Sequence, residues 1–264
     1  MRDGASEALT PAQAAAAAAG QKGMMPLAGL DGRARPFLDY VLSALADAGY
    51  EEVGLVVPPQ APAGRPDPLR EYYMGAGRPS RVRVSFVVQP EARGTADAVA
   101  SAGDWIGARP FVVLNADNLY GVEALRALRE ADGPALPVYE RDDLVQSSGI
   151  PDARVAAFAL LQVTSEGLLS DIVEKPGAEV MEAAGPKALI SMNCWRGNED
   201  VLRACRDVPL SARGEFELPA AIRLAIARGV RVRAIPATGP VLDLSRREDV
   251  VSVTARLQRL EARP

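Results

Sequence analysis

The sequence predicts an α/β protein with a mainly parallel sheet and helices on both faces of that sheet. Apolar runs of strand length alternate with helical patterns from about residue 36 to the C-terminus. This alternation favours parallel strands joined by helical crossovers. Polar side chains also follow apolar runs directly, as in "PFVVLNADNLYG", residues 110–121. Ligands of such sheets bind at the carboxyl ends of the strands, so these side chains are site candidates.

The individual elements follow from hydrophobic periodicity and from turn residues. Phe37, Val41, Leu42 and Leu45 form one apolar stripe of a helix that ends at Gly49. In chain order we predict helix 36–50, strands 51–59 and 82–90, a helix starting in 94–106 with Thr95 near its cap, strand 110–117, helix 122–132, a hairpin over 155–176 with its turn at 165–167, strand 188–197, helix 216–229, a strand-like stretch 230–244 and a C-terminal helix.

The first twenty residues differ in composition from the rest. The alanine run at 14–19 predicts a helix that ends at Gly20, and residues 1–20 favour helix over a buried strand. We therefore predict an Ala-rich helical segment over 1–20 and a single domain over 21–264.

Length, charge and cysteine usage exclude several classes of protein. The chain has 264 residues, enough for one large α/β domain or two small ones. Its net charge of −4 argues against a nucleic-acid partner. No apolar run reaches membrane-spanning length, and the N-terminus has no secretory pattern. Because Cys194 and Cys205 form no CxxC pair, we expect a cytoplasmic protein with reduced thiols.

The absence of histidine limits the possible chemistry. The sequence contains none. This excludes Ser-His and Cys-His nucleophile systems and His-rich metal sites. Any reaction must use carboxylates, lysines, arginines and backbone amides.

Several polar segments that follow apolar runs have both a structural and a functional interpretation. Taken singly, an Asp after a strand is usually a cap, a Glu-Lys-Pro is usually a surface turn, and a buried Asn is usually a satisfied core amide. Taken together and in order, they resemble the sugar-1-phosphate nucleotidyltransferase family, which makes UDP- and dTDP-sugars. The segments are "QKGMMPL" (21–27), "QPEARGTADAV" (89–99), "LNADNLY" (114–120), "VEKP" (173–176), "SMNCWR" (191–196) and "VLDLSRREDV" (241–250).

The resemblance implies a Rossmann-like nucleotide-diphospho-sugar transferase fold and a role for each matching residue. A sugar 1-phosphate would attack the α-phosphate of a nucleoside triphosphate and release pyrophosphate. The attacking oxygen is already anionic, so alignment and charge neutralisation are needed rather than a general base. The implied catalytic residues are Lys22, Asp117 and Lys175, the nucleotide-binding residues Gln89, Pro90, Gly94 and Thr95, the sugar-binding residues Glu174, Lys175 and Asn193, and the Mg²⁺ ligands Asp117 and Asp243.

The sequence departs from the family pattern at three places. Nothing before Lys22 matches the family's first strand and Gly-x-Gly-Thr-Arg loop, so the chain looks cut at its front, by a misassigned start or by real loss. Ala159 stands where the family often has glycine, and "VLDLS" replaces Trp-x-Asp-x-Gly. In the family's sheet the first strand lies between those predicted at 52–57 and 111–115. We therefore expect a gap there, with low stability, poor turnover and a tendency to associate.

Three functions are compatible with these residues. The leading one is nucleotidyl transfer, with UTP or dTTP and glucose 1-phosphate favoured, in a possible homo-oligomer. The second is a catalytically silent relative that binds nucleotide sugars or regulates a partner. The third is a metal-dependent glycosyltransferase, since residues 115–117 mimic an Asp-x-Asp turn, although the segments at 89–96 and 174–176 count against it. A nicotinamide dehydrogenase is disfavoured because no GxGxxG follows a strand.

Overall fold

A computed structural model describes residues 9–18, 20–60 and 67–264 of the chain. Its α-helices are α1 (Pro11–Ala18), α2 (Phe37–Asp47), α3 (Pro68–Met74), α4 (Thr95–Ser101), α5 (Gly103–Ile106), α6 (Val122–Glu130), α7 (Arg141–Ser148), α8 (Asp152–Val155), α9 (Gly177–Ala184), α10 (Glu199–Asp207), α11 (Leu218–Ala227) and α12 (Asp249–Leu257), with a 3-10 turn at Lys22–Met24.

The strands are short, and most of them belong to one sheet. They are β1 (Pro26–Ala28), β2 (Ala34–Pro36), β3 (Glu52–Val57), β4 (Arg83–Val88), β5 (Phe111–Val113), β6 (Asn118–Leu119), β7 (Ala135–Glu140), β8 (Ala159–Val163), β9 (Leu169–Val173), β10 (Leu189–Ser191), β11 (Trp195–Gly197), β12 (Arg233–Pro236) and β13 (Leu242–Asp243). The largest sheet has the order β5–β11–β7–β10–β8–β9, and β12 also pairs with β7.

Strand β7 separates two hydrophobic cores. Ala135 and Tyr139 belong to one core and Leu136 and Val138 to the other, as the alternation of side chains along a strand requires. Helices α2, α6 and α12 contribute to the first core, and α4, α10 and α11 contribute to the second. The predicted α/β class with helices on both faces of the sheet is therefore confirmed.

The sheet is mixed in its pairing, which corrects the expectation of a mainly parallel one. Among the described strands, only β3–β4 and β7–β12 pair in parallel. β10 and β11 pair antiparallel with β7 and lie between it and strands β8 and β5. Strands β5, β7 and β8 therefore share one direction, but β10 and β11 run against them and separate them.

A break between β10 and β11 accommodates a proline in the middle of the sheet. Ser191 pairs with Val138 and Arg196 with Ala135, so neither β10 nor β11 places a ladder partner opposite Pro137, which is in register with Ile235 of β12 on its other side. The carbonyl groups of residues 134 and 138 accept from β12, so by alternation the Pro137 nitrogen faces the break. A residue without an N–H is tolerated there because no hydrogen bond is required.

Strands β3 and β5 each have one edge without a strand partner in the part of the chain that the structure describes. β3 pairs with β4 and β5 with β11. The starts of β3 and β5 are joined by an ion pair between Glu52 Oε2 and Arg109 Nη1, 2.6 Å apart. The apolar residues of β5 are only half-buried. These features agree with the gap expected between the two strands.

We expect the 264-residue chain to self-associate through these edges. Residues 51 and 57 direct their carbonyl groups at β4, so the N–H group of Val56 points towards the open edge. A Val56→Pro substitution removes that donor without touching the β3–β4 ladder and should reduce association in sedimentation velocity. Val56→Thr keeps the donor and is the control. Equal association of both variants, with unchanged circular dichroism, would show that this edge is not the contact.

The predicted N-terminal helix is present over Pro11–Ala18. Its Gln13 side chain donates to the Pro26 carbonyl, and Ala16 and Ala17 pack against the first core. Of the rest of the predicted segment, residues 1–8 and 19 lie outside the described residues, and residues 9, 10 and 20 are not helical. None of the helices that the structure describes combines the length and apolar character needed to cross a membrane.

Candidate functional site

Lys22 and Asp117 form an ion pair beyond the end of β5. The predicted strand 110–117 ends at Val113, so Asp117 lies in the turn that joins β5 to β6. Lys22 Nζ donates to Asp117 Oδ2 at 3.3 Å, and 42% and 23% of the two side chains are exposed. The Asp117 carbonyl accepts from Leu244, which ties the turn to β13. Both charged groups can thus exchange partners with a ligand in solvent.

Asp243 lies on the strand beside this turn but is enclosed. It pairs in register with Asn118, and 1% of its side chain is exposed. Its Oδ2 accepts from Arg154 Nη2 at 2.5 Å, and its Oδ1 accepts from the backbone N–H of Ser245 at 3.0 Å and from the Ser245 hydroxyl. Burial raises the pKa of Asp243; the bonds to Ser245 and the Arg154 charge oppose this, and Asp117 and Asp249 add to it.

The residues as positioned do not fit the predicted pair of Mg²⁺ ligands. Both oxygens of Asp243 are already bonded, and its side chain is inaccessible. Within residues 9–18, 20–60 and 67–264, no three carboxylate or thiol groups are arranged to hold a metal ion. Of the predicted pair, Asp117 alone presents a partly exposed carboxylate.

Gln89 and Gly94 form a tight loop between β4 and α4. Gln89 Nε2 donates to the Gly94 carbonyl at 3.1 Å and to Asp97 Oδ2 at 2.8 Å. Gly94 has φ of +115°, and a Cβ there would lie 2.4 Å from the Phe216 carbonyl oxygen. Only glycine fits this position, because the Phe216 backbone occupies the space that a side chain would need. Pro90 is exposed beside Gln89.

Thr95 begins α4, as predicted, but its hydroxyl group bonds to a different helix. The N-cap of α4 is Gly94, which has no side chain, whereas the Thr95 hydroxyl accepts from the N–H of Leu218 at 2.9 Å, in the first turn of α11. Ala96 also donates to the Phe216 carbonyl, and the Arg93 guanidinium lies 5.6 Å from the centre of the Phe216 ring. The nucleotide-binding candidates are thus fixed to the start of α11.

Glu174 carries a buried oxygen without a hydrogen-bond partner. Its Oε1 is inaccessible to solvent and receives no donor from the residues that the structure describes. Burial raises the pKa of Glu174 and the neighbouring Glu217 raises it further, while the charges of Arg213, Lys175 and Arg223 lower it. A buried carboxylate oxygen without a hydrogen-bond partner lowers the stability of the folded protein. It marks a site where a ligand can supply the missing donor, such as a hydroxyl group.

Lys175 and Asn193 share a backbone conformation that is rare outside glycine. They are the non-glycine residues with positive φ among the described positions, at +46° and +58°. Such strain of about 1–3 kcal/mol persists where the surroundings impose it, often at functional sites. The strand predicted over 188–197 is broken at Asn193, because the left-handed residue turns the chain between β10 and β11.

We expect Glu174→Gln to stabilise the protein at neutral pH. A carboxyl group whose pKa is raised on folding favours the folded state below its unfolded pKa and loses that contribution as pH rises through the folded pKa. The variant should gain about 1 kcal/mol at pH 7 in urea unfolding, and the gain should shrink towards about pH 4. Glu51→Gln, at an exposed position, should show neither effect. A variant less stable than the native protein at pH 7 would contradict this account.

The structure places eight of the ten predicted residues, all except Pro90 and Asn193, in three groups, and partners that the sequence did not reveal lie within each. Lys22, Asp117 and Asp243 lie at the β6–β13 pair; Gln89, Gly94 and Thr95 lie against α11; Glu174 and Lys175 lie among Arg213, Glu217 and Arg223. The residues that sequence reasoning missed are Arg154, Ser245, Arg213 and Glu217. No sequence signal marked Arg154, since it lies 89 positions from Asp243.

The α/β fold is that of nucleotide-sugar transferases. The backbone superposes on a UDP-glucose pyrophosphorylase complexed with UDP-glucose with a TM-score of 0.66 and 18% identity, covering 89% of both chains. A UDP-glucose pyrophosphorylase from Acinetobacter baumannii gives a TM-score of 0.65 and 19% identity, over 98% of this chain and 92% of that one.

The sequence profile of the nucleotidyl transferase family matches residues 21–253, so the chain belongs to that family. Among curated relatives, the UTP–glucose-1-phosphate uridylyltransferase AglF of Haloferax volcanii is 25% identical over 90% of this chain and 88% of its own length. The low-salt glycan biosynthesis nucleotidyltransferase Agl11 of the same organism is 25% identical, and a glucose-1-phosphate thymidylyltransferase of Streptomyces griseus is 27% identical. The chain spans 58% and 56% of the lengths of these last two.

Proposed function

We propose that this protein transfers a nucleotidyl group from a nucleoside triphosphate to a sugar 1-phosphate. The observation that carries the proposal is the sugar-side site: a buried, unpartnered Glu174 oxygen next to left-handed Lys175, with left-handed Asn193 as a further candidate. An acceptor for hydroxyl groups and a cation for a phosphate are the two groups that a sugar 1-phosphate requires.

In the proposed reaction a phosphate oxygen of the sugar 1-phosphate attacks the α-phosphorus of the triphosphate. One P–O bond forms, the bond to the bridging α–β oxygen breaks, and pyrophosphate carries away the released electron pair. Lys175 holds the sugar phosphate, and Glu174 and Asn193 hold the hydroxyl groups. Lys22 leaves Asp117 to neutralise the triphosphate. The residues therefore act by alignment and by compensation of charge.

The nucleotide side of the proposal rests on the loop at Gln89 and Gly94. Gln89 Oε1 and the amides of the loop supply polar groups for the edge of a base. UTP or dTTP with glucose 1-phosphate is the favoured pair, because relatives named for uridylyl and thymidylyl transfer to glucose 1-phosphate match most of this chain. Mg²⁺ remains a proposal that rests on Asp117.

The second candidate is a binding protein without turnover. It is favoured by the state of the charged residues, since Lys22 neutralises Asp117 and Arg154 neutralises Asp243 within the protein itself. Such a protein would bind a nucleotide sugar at the same residues but release no pyrophosphate.

Pyrophosphate release separates the two functions. The chain is incubated with Mg²⁺, with UTP or dTTP, and with glucose 1-phosphate or another sugar 1-phosphate. Turnover that requires both substrates supports transfer. Calorimetric binding of UDP-glucose without turnover supports the binding protein. The absence of both would rule out this site.

A further inference from the structure

We propose that Arg154 is the permanent ion-pair partner of Asp243. Asp243 is then a positioning residue, and any divalent ion is bound to the protein through Asp117. This inference deepens the proposed function by assigning the two carboxylates different roles. It rests on contacts in the structure and can be tested without turnover.

Arg154 bridges two buried carboxylates. Its guanidinium makes a bidentate contact with Asp249, through Nη1 to Oδ1 and through Nη2 to Oδ2 at 3.1 Å, and Nη2 also reaches Asp243 Oδ2 at 2.5 Å. The exposed fractions of the three side chains are 9%, 1% and 9% in the order Arg154, Asp243, Asp249. A planar fork held by two carboxylates is fixed in both position and orientation.

Asp243 has no accessible oxygen left for a metal. Its Oδ1 accepts two donors from Ser245, and its Oδ2 accepts from Arg154. A Mg²⁺ ion binds oxygen at about 2.1 Å and demands near-ideal geometry, so it would have to displace one of these donors. Displacing Arg154 would also leave Asp249 without its ion-pair partner in the interior, which is strongly unfavourable.

Asp117 differs from Asp243 in its exposure and in how firmly its cation is held. It is more exposed, its cation Lys22 is 42% exposed, and the single ion pair between them spans 3.3 Å. An exposed lysine can rotate away at little cost, whereas the arginine cannot. Asp117, in the turn before β6, is thus available to an incoming ion, whereas Asp243, on the neighbouring strand β13, is engaged by the protein.

The position of Arg154 in the chain determines which segments its contact with Asp243 connects. It lies on α8, directly before the hairpin β8–β9 that leads to Glu174. Asp243 lies on β13 beside the turn that carries Asp117. The bridge therefore connects the segment that leads to the sugar-side residues with the strand that supports the phosphate-side carboxylate.

The test measures Mn²⁺ binding to the substrate-free protein by electron paramagnetic resonance. Melting temperatures are measured with and without Mn²⁺. Asp117→Asn should weaken Mn²⁺ binding by about tenfold or more, whereas Asp243→Asn should leave it near the native value and lower the melting temperature. Arg154→Met frees Asp243 and should strengthen Mn²⁺ binding by about tenfold, and Mn²⁺ should raise its melting temperature more than that of the native protein.

Arg141→Met is the matched control, because Arg141 is 11% exposed and makes a bidentate contact with Asp152. It should lose stability without gaining affinity for Mn²⁺. If Arg154→Met does not fold, the Asp243→Asn comparison alone decides. Equal loss of Mn²⁺ binding in Asp117→Asn and Asp243→Asn would overturn the proposal. Failure of pyrophosphate release with the predicted Mn²⁺ results would count against the proposed function only.

Discussion

Replacing Gly94 by alanine is expected to destabilise the protein by about 3–5 kcal/mol, because strain and a steric clash add at this position. The glycine has φ of +115° and ψ of 177°, a region that is essentially closed to other residues. The new methyl group would lie 2.4 Å from the Phe216 carbonyl oxygen, which itself accepts from Ala96. The melting temperature should fall by roughly 10 °C.

Gly185→Ala separates the two contributions. Gly185 has φ of +77° and ψ of −174°, close to those of Gly94, but a Cβ there would meet nothing within 4 Å. The Gly185→Ala variant should lose about 1–3 kcal/mol of stability, which is the cost of backbone strain alone. Equal losses of stability in the two variants would mean that the loop at Gly94 moves away from Phe216 and that its contact with α11 is not fixed.

Lys175→Ala is expected to lower kcat/KM for the sugar 1-phosphate by about 100-fold or more, since a fixed cation at a reacting phosphate is lost. Because the residue adjoins Glu174 at the sugar-side site, KM for the sugar 1-phosphate should rise more than KM for the nucleoside triphosphate. Steady-state kinetics with each substrate varied in turn measure this split.

Two further variants control for charge and for backbone strain. Lys187→Ala removes an exposed lysine from the turn before β10 and should leave both KM values unchanged. Lys175→Gly should be as inactive as Lys175→Ala but more stable, because glycine adopts the φ of +46° without strain. An active Lys175→Gly variant would show that only the backbone at this position matters.

The sequence was informative where local patterns determine the structure. Helix α2, strands β3 and β4 and the hairpin β8–β9 were predicted from periodicity and turn residues, with ends that differ by a few residues. Strand β7 was not predicted, although it lies at the centre of the sheet. Its Pro137 argues against a central strand, and only the tertiary pairing shows that the proline faces a break where no donor is needed.

The candidate site likewise contains residues that the sequence could identify and residues that it could not. Residues in recognisable segments, such as Asp117, Gln89 and Glu174, could be nominated from the sequence, and the structure shows where each of them lies. Their partners could not be nominated, because Arg154 reaches Asp243 and Thr95 reaches Leu218 across 89 and 123 positions of chain. Whether Asp243 is open to a ligand could not be predicted for the same reason: accessibility depends on the side chains that the fold brings against it.

The break opposite Pro137 has a consequence for how this protein can change in evolution. Because Pro137 has no N–H group, a regular strand through residue 193 would gain no hydrogen bond from it, and the Tyr120 hydroxyl donates to the Met192 carbonyl in the bend. The neighbours of Asn193 thus support the bend together with its own left-handed backbone. If Asn193 contacts the sugar as proposed, single substitutions to glycine or aspartate, which accept a left-handed backbone, would alter which hydroxyl groups are recognised while the sheet stays intact. The position is a ready starting point for divergence in sugar preference.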